Sequence, residues 1–314
     1  MKALESFIES VDIGRLDTYK DFTICFLQRQ NPQKIVLLNY DESLICKILT
    51  VTEVNAGTVS ELKFANTTGL FPIFIPQGAI FVGLKQNRAS TLSFVLKPWQ
   101  ELVAPVVCVE EGRWTSQTKF GRLSAYHMYS RLKKTNMRQT TQSFKEGYRS
   151  PENQGEIWED IRRLKDQKEQ KDKQRIYSPD GYIGNIYEHD QAIITNYLKN
   201  LPCPDNAFGF ISIFQKQFLI GIELFCNPRL LKRNYEALLA SVILESTDEE
   251  FLKEQRQKQP MTVQEFLRAI SVAPKEHFQS IGRNEDIRFE SDSLIGSALI
   301  TDGSVIHLEA FTTT

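Results

Sequence analysis

The feature that most restricts how this chain can fold is a series of eight short β-like runs between residues 22 and 109. They are Phe22–Leu27, Lys34–Leu38, Ile48–Val54, Val59–Phe64, Phe71–Ile75, Ile80–Leu84, Leu92–Leu96 and Leu102–Val109. They are rich in Val, Ile, Phe and Thr and are divided by Gly, Pro, Asn and Asp, residues that end strands and open turns. Pro76-Gln77-Gly78, between Phe71–Ile75 and Ala79–Val82, predicts a hairpin. Ahead of this region Leu4, Phe7, Ile8 and Val11 fall on one helical face and predict a helix over 3–16.

The pattern changes after Trp114. Helical spacing covers 123–134, 153–175, 190–200 and 228–245, the last with Pro228 at its start. The run Thr247–Lys258 is charged. Thr262 and Glu265 form a capping-box pair for a short helix, Thr262–Ser271. Strand pairs are expected at Phe208–Phe214 with Phe218–Leu224, and at Ser297–Thr301 with Ser304–Ala310 around Asp302-Gly303, after a strand at Asp286–Glu290. Residues 74–83 echo 213–221, each reading as a hairpin whose return strand reaches a glycine, a likeness that ordinary hairpins share. The expected fold is α+β in a single globular unit over 1–314. Its lobes are a β-rich 1–120, a basic and charged helical connection 121–175, and an α+β 176–314.

Composition narrows the function classes. With 314 residues, 41% of them hydrophobic and 25% charged, the chain can build its own core without disulfides or metals. Its five cysteines form no C-x-x-C pair, which predicts reduced thiols and a cytoplasmic location. The four histidines are scattered, with no H-E-x-x-H, so no metal site is expected. Acids interrupt the amphipathic N-terminus, unlike a signal peptide, and no run approaches the ~20 apolar residues of a membrane helix. G-x-x-x-x-G-K-[ST], G-x-G-x-x-G and G-x-S-x-G are all missing, which removes the main support for P-loop, Rossmann and α/β-hydrolase readings.

Two blocks carry chemistry-bearing residues. In Gly83-Leu84-Lys85-Gln86-Asn87-Arg88, a strand-end glycine precedes two cations able to hold anionic oxygens and two amides able to read a base or ribose. The competing reading is a polar loop whose side chains cap backbone groups. In Val106-Val107-Cys108-Val109-Glu110-Glu111-Gly112-Arg113-Trp114, strand alternation puts Cys108 and Glu110 on one face. A carboxylate at the end of an apolar strand must be paired, hydrogen-bonded or functional, and Arg113 or Arg88 could pair it. A neighbouring carboxylate does not activate a thiol, so an enzyme using Cys108 with His127 is the weakest reading. Residues 112–149 hold nine Lys/Arg against one acid, Glu146, a net of +8 that leaves -9 elsewhere in a chain of -1 overall. Trp114, Phe120, Tyr126, Tyr129, Phe144 and Tyr148 are interleaved with them. Such a stretch suits phosphates and bases, or is a solvated basic helix pair; it carries no nucleic-acid motif.

The blocks Val51-Thr52-Glu53-Val54, Gly57, Val59, Leu62, Gly83 with Lys85-Gln86-Asn87-Arg88, Cys108-Val109-Glu110 and Gly112-Arg113-Trp114 occur in that order. Together with Gly303-Ser304-Val305-Ile306-His307-Leu308 and Phe311 they resemble the ADP-ribosylglycohydrolase and rhodanese-phosphatase associated protein domain, a bacterial and archaeal family. The resemblance is dense between 51 and 114, departs at Ser90–Trp99 and is thin over 115–200. It implies a link to NAD and ADP-ribose metabolism and one site made of Glu53, Lys85, Gln86, Asn87, Arg88, Glu110 and Arg113. It supplies no catalytic residue.

The leading expectation is a site for an ADP-ribose-like or other phosphate-bearing nucleotide. Lys85 and Arg88 would hold phosphate beside Arg113, Gln86 and Asn87 would orient the ligand, and Trp114 would stack on the base. Glu110 or Glu53 would act as general base or bind ribose hydroxyls, and any turnover would be hydrolysis at a phosphate or glycosidic linkage. No cofactor is assigned. The alternative is a non-catalytic interaction protein docking an acidic partner or nucleic acid on 112–149. Lys85 and Arg88 opening into one cleft with Glu110 favours the site, whereas arginines paired to buried acids favour a scaffold.

Overall fold

In the computed structural model the described residues are 2–313, except 31, 33, 148–153, 174, 175, 177–180, 258 and 259. The chain divides into two compact units, residues 1–35 with 195–314, and residues 36–194. These are not the lobes expected with boundaries at 120 and 175. The first two strands, Val11–Tyr19 and Phe22–Arg29, pair onward to Gly209–Phe214 rather than to the strands that follow them in sequence.

The first unit is built on an eight-stranded sheet in which every neighbouring pair is antiparallel. Its order is Val11–Tyr19, Phe22–Arg29, Gly209–Phe214, Phe218–Phe225, Ser304–Thr312, Leu294–Thr301, Glu285–Glu290, Lys275–Gln279. Alternation sends Ile222, Leu224, Leu308 and Ala310 to one face, where Leu4, Phe7 and Ile8 of helix Lys2–Glu9 and Phe266 and Ile270 of helix Val263–Val272 cover them. Both late turns fall between the strands expected to pair. Gln215 and Lys216, then Asp302 and Gly303, take the positive φ of a tight hairpin turn. Asn227 caps the helix Pro228–Glu245, accepting from the Leu230 N–H at 3.0 Å.

The second unit carries the two blocks. A six-stranded sheet runs Arg122–His127, Ala79–Val82, Arg88–Ser90, Glu101–Cys108, Glu61–Asn66, Leu49–Glu53. A three-stranded sheet holds Leu38–Asn39, Ile73–Ile75 and Phe94–Leu96. Helices Tyr40–Ile45, Ser130–Lys145, Gln154–Asp172 and Ile183–His189 complete it.

Several expectations are corrected. The helix at 3–16 stops at Glu9, because the helical stripe ends with Ile8 and residues 11–19 form an edge strand with a register shift between Ile13 and Leu16. Of Lys34–Leu38 only Leu38 enters a strand. Residues 123–127, expected in a helix, lie in the strand Arg122–His127 drawn onto Ala79–Val82, and the helix starts at Ser130. Pro76-Gln77-Gly78 does form a turn, with the Ala79 N–H donating to Pro76 O at 3.3 Å and φ +81° at Gly78. Yet its two arms belong to different sheets: Ile73–Ile75 pairs with Phe94–Leu96, and Ala79–Val82 with Arg88–Ser90. The true hairpin is the second of these, so the K-Q-N block is its loop and the echo with 213–221 ends at the turn.

Candidate functional site

The loop Gly83–Asn87 reverses the chain between Ala79–Val82 and Arg88–Ser90. Gly83 has φ +97° and Leu84 φ +54°, conformations that a side chain resists. A Cβ on Gly83 would stand 2.1 Å from Thr118 Oγ1. The close approach is used, since Thr118 Oγ1 accepts the Leu84 N–H at 3.0 Å and Asn87 Oδ1 accepts the Gly83 N–H at 2.8 Å.

Glu110 lies just beyond Glu101–Cys108 and has no exposed surface. Its Oε1 accepts from Arg113 Nε at 2.5 Å; its Oε2 accepts from Arg113 Nη2 and the Asn87 N–H, each at 2.6 Å. This is a fork-to-carboxylate pair with a backbone donor added. Arg113 also donates to the carbonyls of Leu84 at 2.9 Å, Thr115 at 2.8 Å and Gly83 at 3.2 Å, so one guanidinium ties both blocks together. Glu53, at the end of Leu49–Glu53, accepts the Lys85 N–H at 2.8 Å and Arg88 Nη1 at 2.9 Å. Arg88 is fully buried beside it.

Gln86 bridges Cys108 and Glu110. Its Oε1 accepts the Cys108 thiol at 2.9 Å and its Nε2 donates to Glu110 O at 3.2 Å. Burial pushes the Cys108 thiol up to about 11, against the opposing pull of the Arg88 guanidinium. His127 is engaged elsewhere, its Nε2 3.0 Å from Tyr40 Oη. Cys108 and His127 therefore do not form a nucleophile–base pair. Native protein treated with iodoacetamide at about pH 8 is expected to be alkylated at Cys46, the exposed cysteine, while Cys25, Cys108 and Cys226 react only on unfolding. Peptide mapping reads this out, and labelling of Cys108 as fast as Cys46 would contradict it.

All the residues expected to share a site do meet. Most of them meet as an interlocked core rather than an open cleft: both arginines are paired with acids, and Gln86, Asn87, Arg88 and Glu110 are buried. Two groups face outward. Trp114 is 42% exposed, and Lys85 Nζ and Arg88 Cζ lie 5.1 Å and 5.4 Å from its ring centre. Lys85 Nζ also donates to Ala56 O.

Beside this core is a cavity of about 370 Å³ lined by Glu111, Gly112, Arg162, Lys165, Gly181 and Tyr182 among others. Arg162 Nε is 3.3 Å from Glu111 Oε2. Gly181, at φ +62°, packs so closely on Glu111 that a Cβ would meet the Glu111 Cβ at 3.2 Å. The Ile183 N–H donates to Val109 O at 3.1 Å, and the Gln154 side chain clasps the Cys108 backbone on both sides at 2.7 and 2.8 Å. Arg162 and Lys165 were missed in the sequence because they sit in a charged helix that reads as solvated. Their i, i+3 spacing on one helix face is the only local signal.

The basic stretch 112–149 is not one exposed surface. Lys133 and Lys134 are buried, Arg113 pairs with Glu110, and Arg131 Nε is 3.0 Å from Asp160. Tyr148 and Arg149 lie outside the described residues. No helix among the described residues is long and apolar enough to cross a membrane.

Comparison with known proteins is one-sided. No curated protein and no solved structure matches the chain. A family model does match, over residues 10–311, nearly the whole length, and the two blocks that form the interlocked core fall inside it. The chain belongs to the ARG and Rhodanese-Phosphatase-superfamily-associated Protein domain family.

Proposed function

We propose that the chain binds a phosphate-bearing nucleotide of the ADP-ribose type in the cavity beside the second block. The observation that carries this reading is the cavity itself. Its volume lies within the range of small-molecule sites, one wall is the Glu111–Gly112 segment held by the Arg113–Glu110 clamp, and Arg162 and Lys165 face that wall. Arg162 would exchange its surface contact with Glu111 for phosphate oxygens, Lys165 would add a second charge, and Tyr182 offers a ring for a base or ribose. The family name supports the ligand class, its first term reading as ADP-ribosylglycohydrolase.

The first-proposed site residues take defined places in this reading. Lys85 and the exposed ring of Trp114 form an outer cation–aromatic platform. Gln86, Asn87, Arg88 and Arg113 set the loop geometry. Glu110 and Glu53 are occupied by arginines and backbone donors, so no proton transfer is assigned to them. The function is binding, with hydrolysis of the bound linkage left to a turnover assay. Isothermal titration calorimetry with ADP-ribose, NAD and AMP tests it. Arg162→Ala and Lys165→Ala are each expected to weaken binding about tenfold, about 1.4 kcal/mol. A folded wild type that gives no heat with any of the three ligands overturns the reading.

A further inference from the structure

The eight-stranded sheet of the first unit holds a separate constellation. Glu223 lies on Phe218–Phe225, and His307 and Glu309 lie on Ser304–Thr312, the two strands at the centre of the sheet. Glu223 stands directly opposite Glu309 in the register, and His307 is two residues from Glu309, so all three side chains leave the same face. That face is opposite the apolar layer of Ile222, Leu224, Leu308 and Ala310. All three residues are buried, and their ligating atoms lie within 4.8 Å of one another.

The neighbours fix these groups in place. His307 Nε2 is 2.8 Å from Glu223 Oε2. The Phe225 ring stacks on the His307 ring with centres 4.5 Å apart and planes at 26°, which holds the imidazole orientation. Ser297 Oγ donates to Glu309 Oε1 at 3.5 Å. Groups that hold a ligating histidine and carboxylate in one orientation are what a metal centre needs around its donors.

Two carboxylates set opposite each other in a sheet interior repel, and burial raises the cost of their charge. An imidazole nitrogen with two carboxylate oxygens is a donor set for the borderline divalent ions, whereas Ca²⁺ and Mg²⁺ favour oxygen alone. We infer that Glu223, His307 and Glu309 form a site for a divalent transition ion of the zinc, manganese or iron(II) class. The ligands are His307 Nε2 and one oxygen from each glutamate. The scattered histidines of the sequence gave no sign of it, since Glu223 and His307 are 84 residues apart. The inference does not depend on the nucleotide reading, which uses residues of the other unit.

The test uses the full chain. It is incubated separately with Zn²⁺, Mn²⁺ and, without oxygen, Fe²⁺, then desalted, and its metal content is measured by inductively coupled plasma mass spectrometry. One ion per chain should remain with at least one of the three, with a higher thermal midpoint that EDTA reverses. Glu309→Gln and His307→Ala should lose the ion, and circular dichroism checks that each variant is folded. Folded wild type that keeps less than about 0.1 ion per chain of every metal, with no shift in midpoint, overturns the inference. The same result beside intact ADP-ribose binding overturns it alone. Retention of the ion by both folded variants also overturns it, because the ion then sits elsewhere.

Discussion

Glu110→Ala is expected to lower the free energy of unfolding by about 3–5 kcal/mol, the usual cost of removing one partner of a buried ion pair. The loss is large because the carboxylate serves three donors at once: Arg113 Nε, Arg113 Nη2 and the Asn87 N–H. Removing it leaves a guanidinium with its principal anion gone and a buried backbone donor unmet. Glu110→Gln keeps an acceptor for Asn87 and fills the same volume, so its cost should be smaller. Urea unfolding with an unchanged m-value reads both numbers. A loss below about 1 kcal/mol for Glu110→Ala would mean that the pair contributes no more than a surface contact. A double-mutant cycle with Arg113→Ala should show coupling above about 1 kcal/mol, since the two side chains form one network.

Gly83→Ala and Gly112→Ala should differ sharply although the backbone angles match, φ +97° and +94°. A methyl group on Gly83 meets Thr118 Oγ1 at 2.1 Å, whereas one on Gly112 meets nothing within 4 Å. Both substitutions carry the strain of a positive φ, about 1–2 kcal/mol. Only Gly83→Ala adds an overpacking cost, about 1–3 kcal/mol, and breaks the contact that seats the Leu84 N–H on Thr118. Gly83→Ala is therefore expected to cost roughly 2–5 kcal/mol and Gly112→Ala roughly 1–2. Thermal unfolding of the two single mutants settles the order. Equal losses would show that Thr118 moves aside freely and that the loop is not a tight fit.

The sequence is legible where the physics is local. Thr262 with Glu265, Pro228 at a helix start, and Asp302-Gly303 act through hydrogen bonds or φ values reached within a few residues, and the structure has all three at those positions. Partner choice between strands is not local. Pro76-Gln77-Gly78 specifies a turn, but which sheet each arm joins depends on Phe94–Leu96 and Arg88–Ser90. The strand Arg122–His127 likewise exists because Ala79–Val82 offers it an edge. At the site, burial logic at the end of an apolar strand pointed to a Glu110–arginine pair, and Arg113 fills that role. Which arginine belongs to which acid was not legible, since Glu53 and Arg88 come together only when their strands enter one sheet. Arg162 and Lys165 acquire meaning only from the loop they face.

The pairing of Phe22–Arg29 with Gly209–Phe214 also sets a timetable for synthesis. At ribosomal rates of about 5–20 residues per second, the 180 residues from Arg29 to Gly209 take roughly 10–35 s to appear. The intervening unit, 36–194, is complete in that time and can fold as a self-contained insert. Meanwhile the Val11–Tyr19 and Phe22–Arg29 hairpin waits with one apolar edge unpaired, a template for unwanted strand addition. A nascent chain stalled before residue 209 is accordingly the stage at which chaperone binding and aggregation of this protein should peak, and the emergence of Ser304–Thr312, which fills the centre of the sheet, the stage at which they should fall.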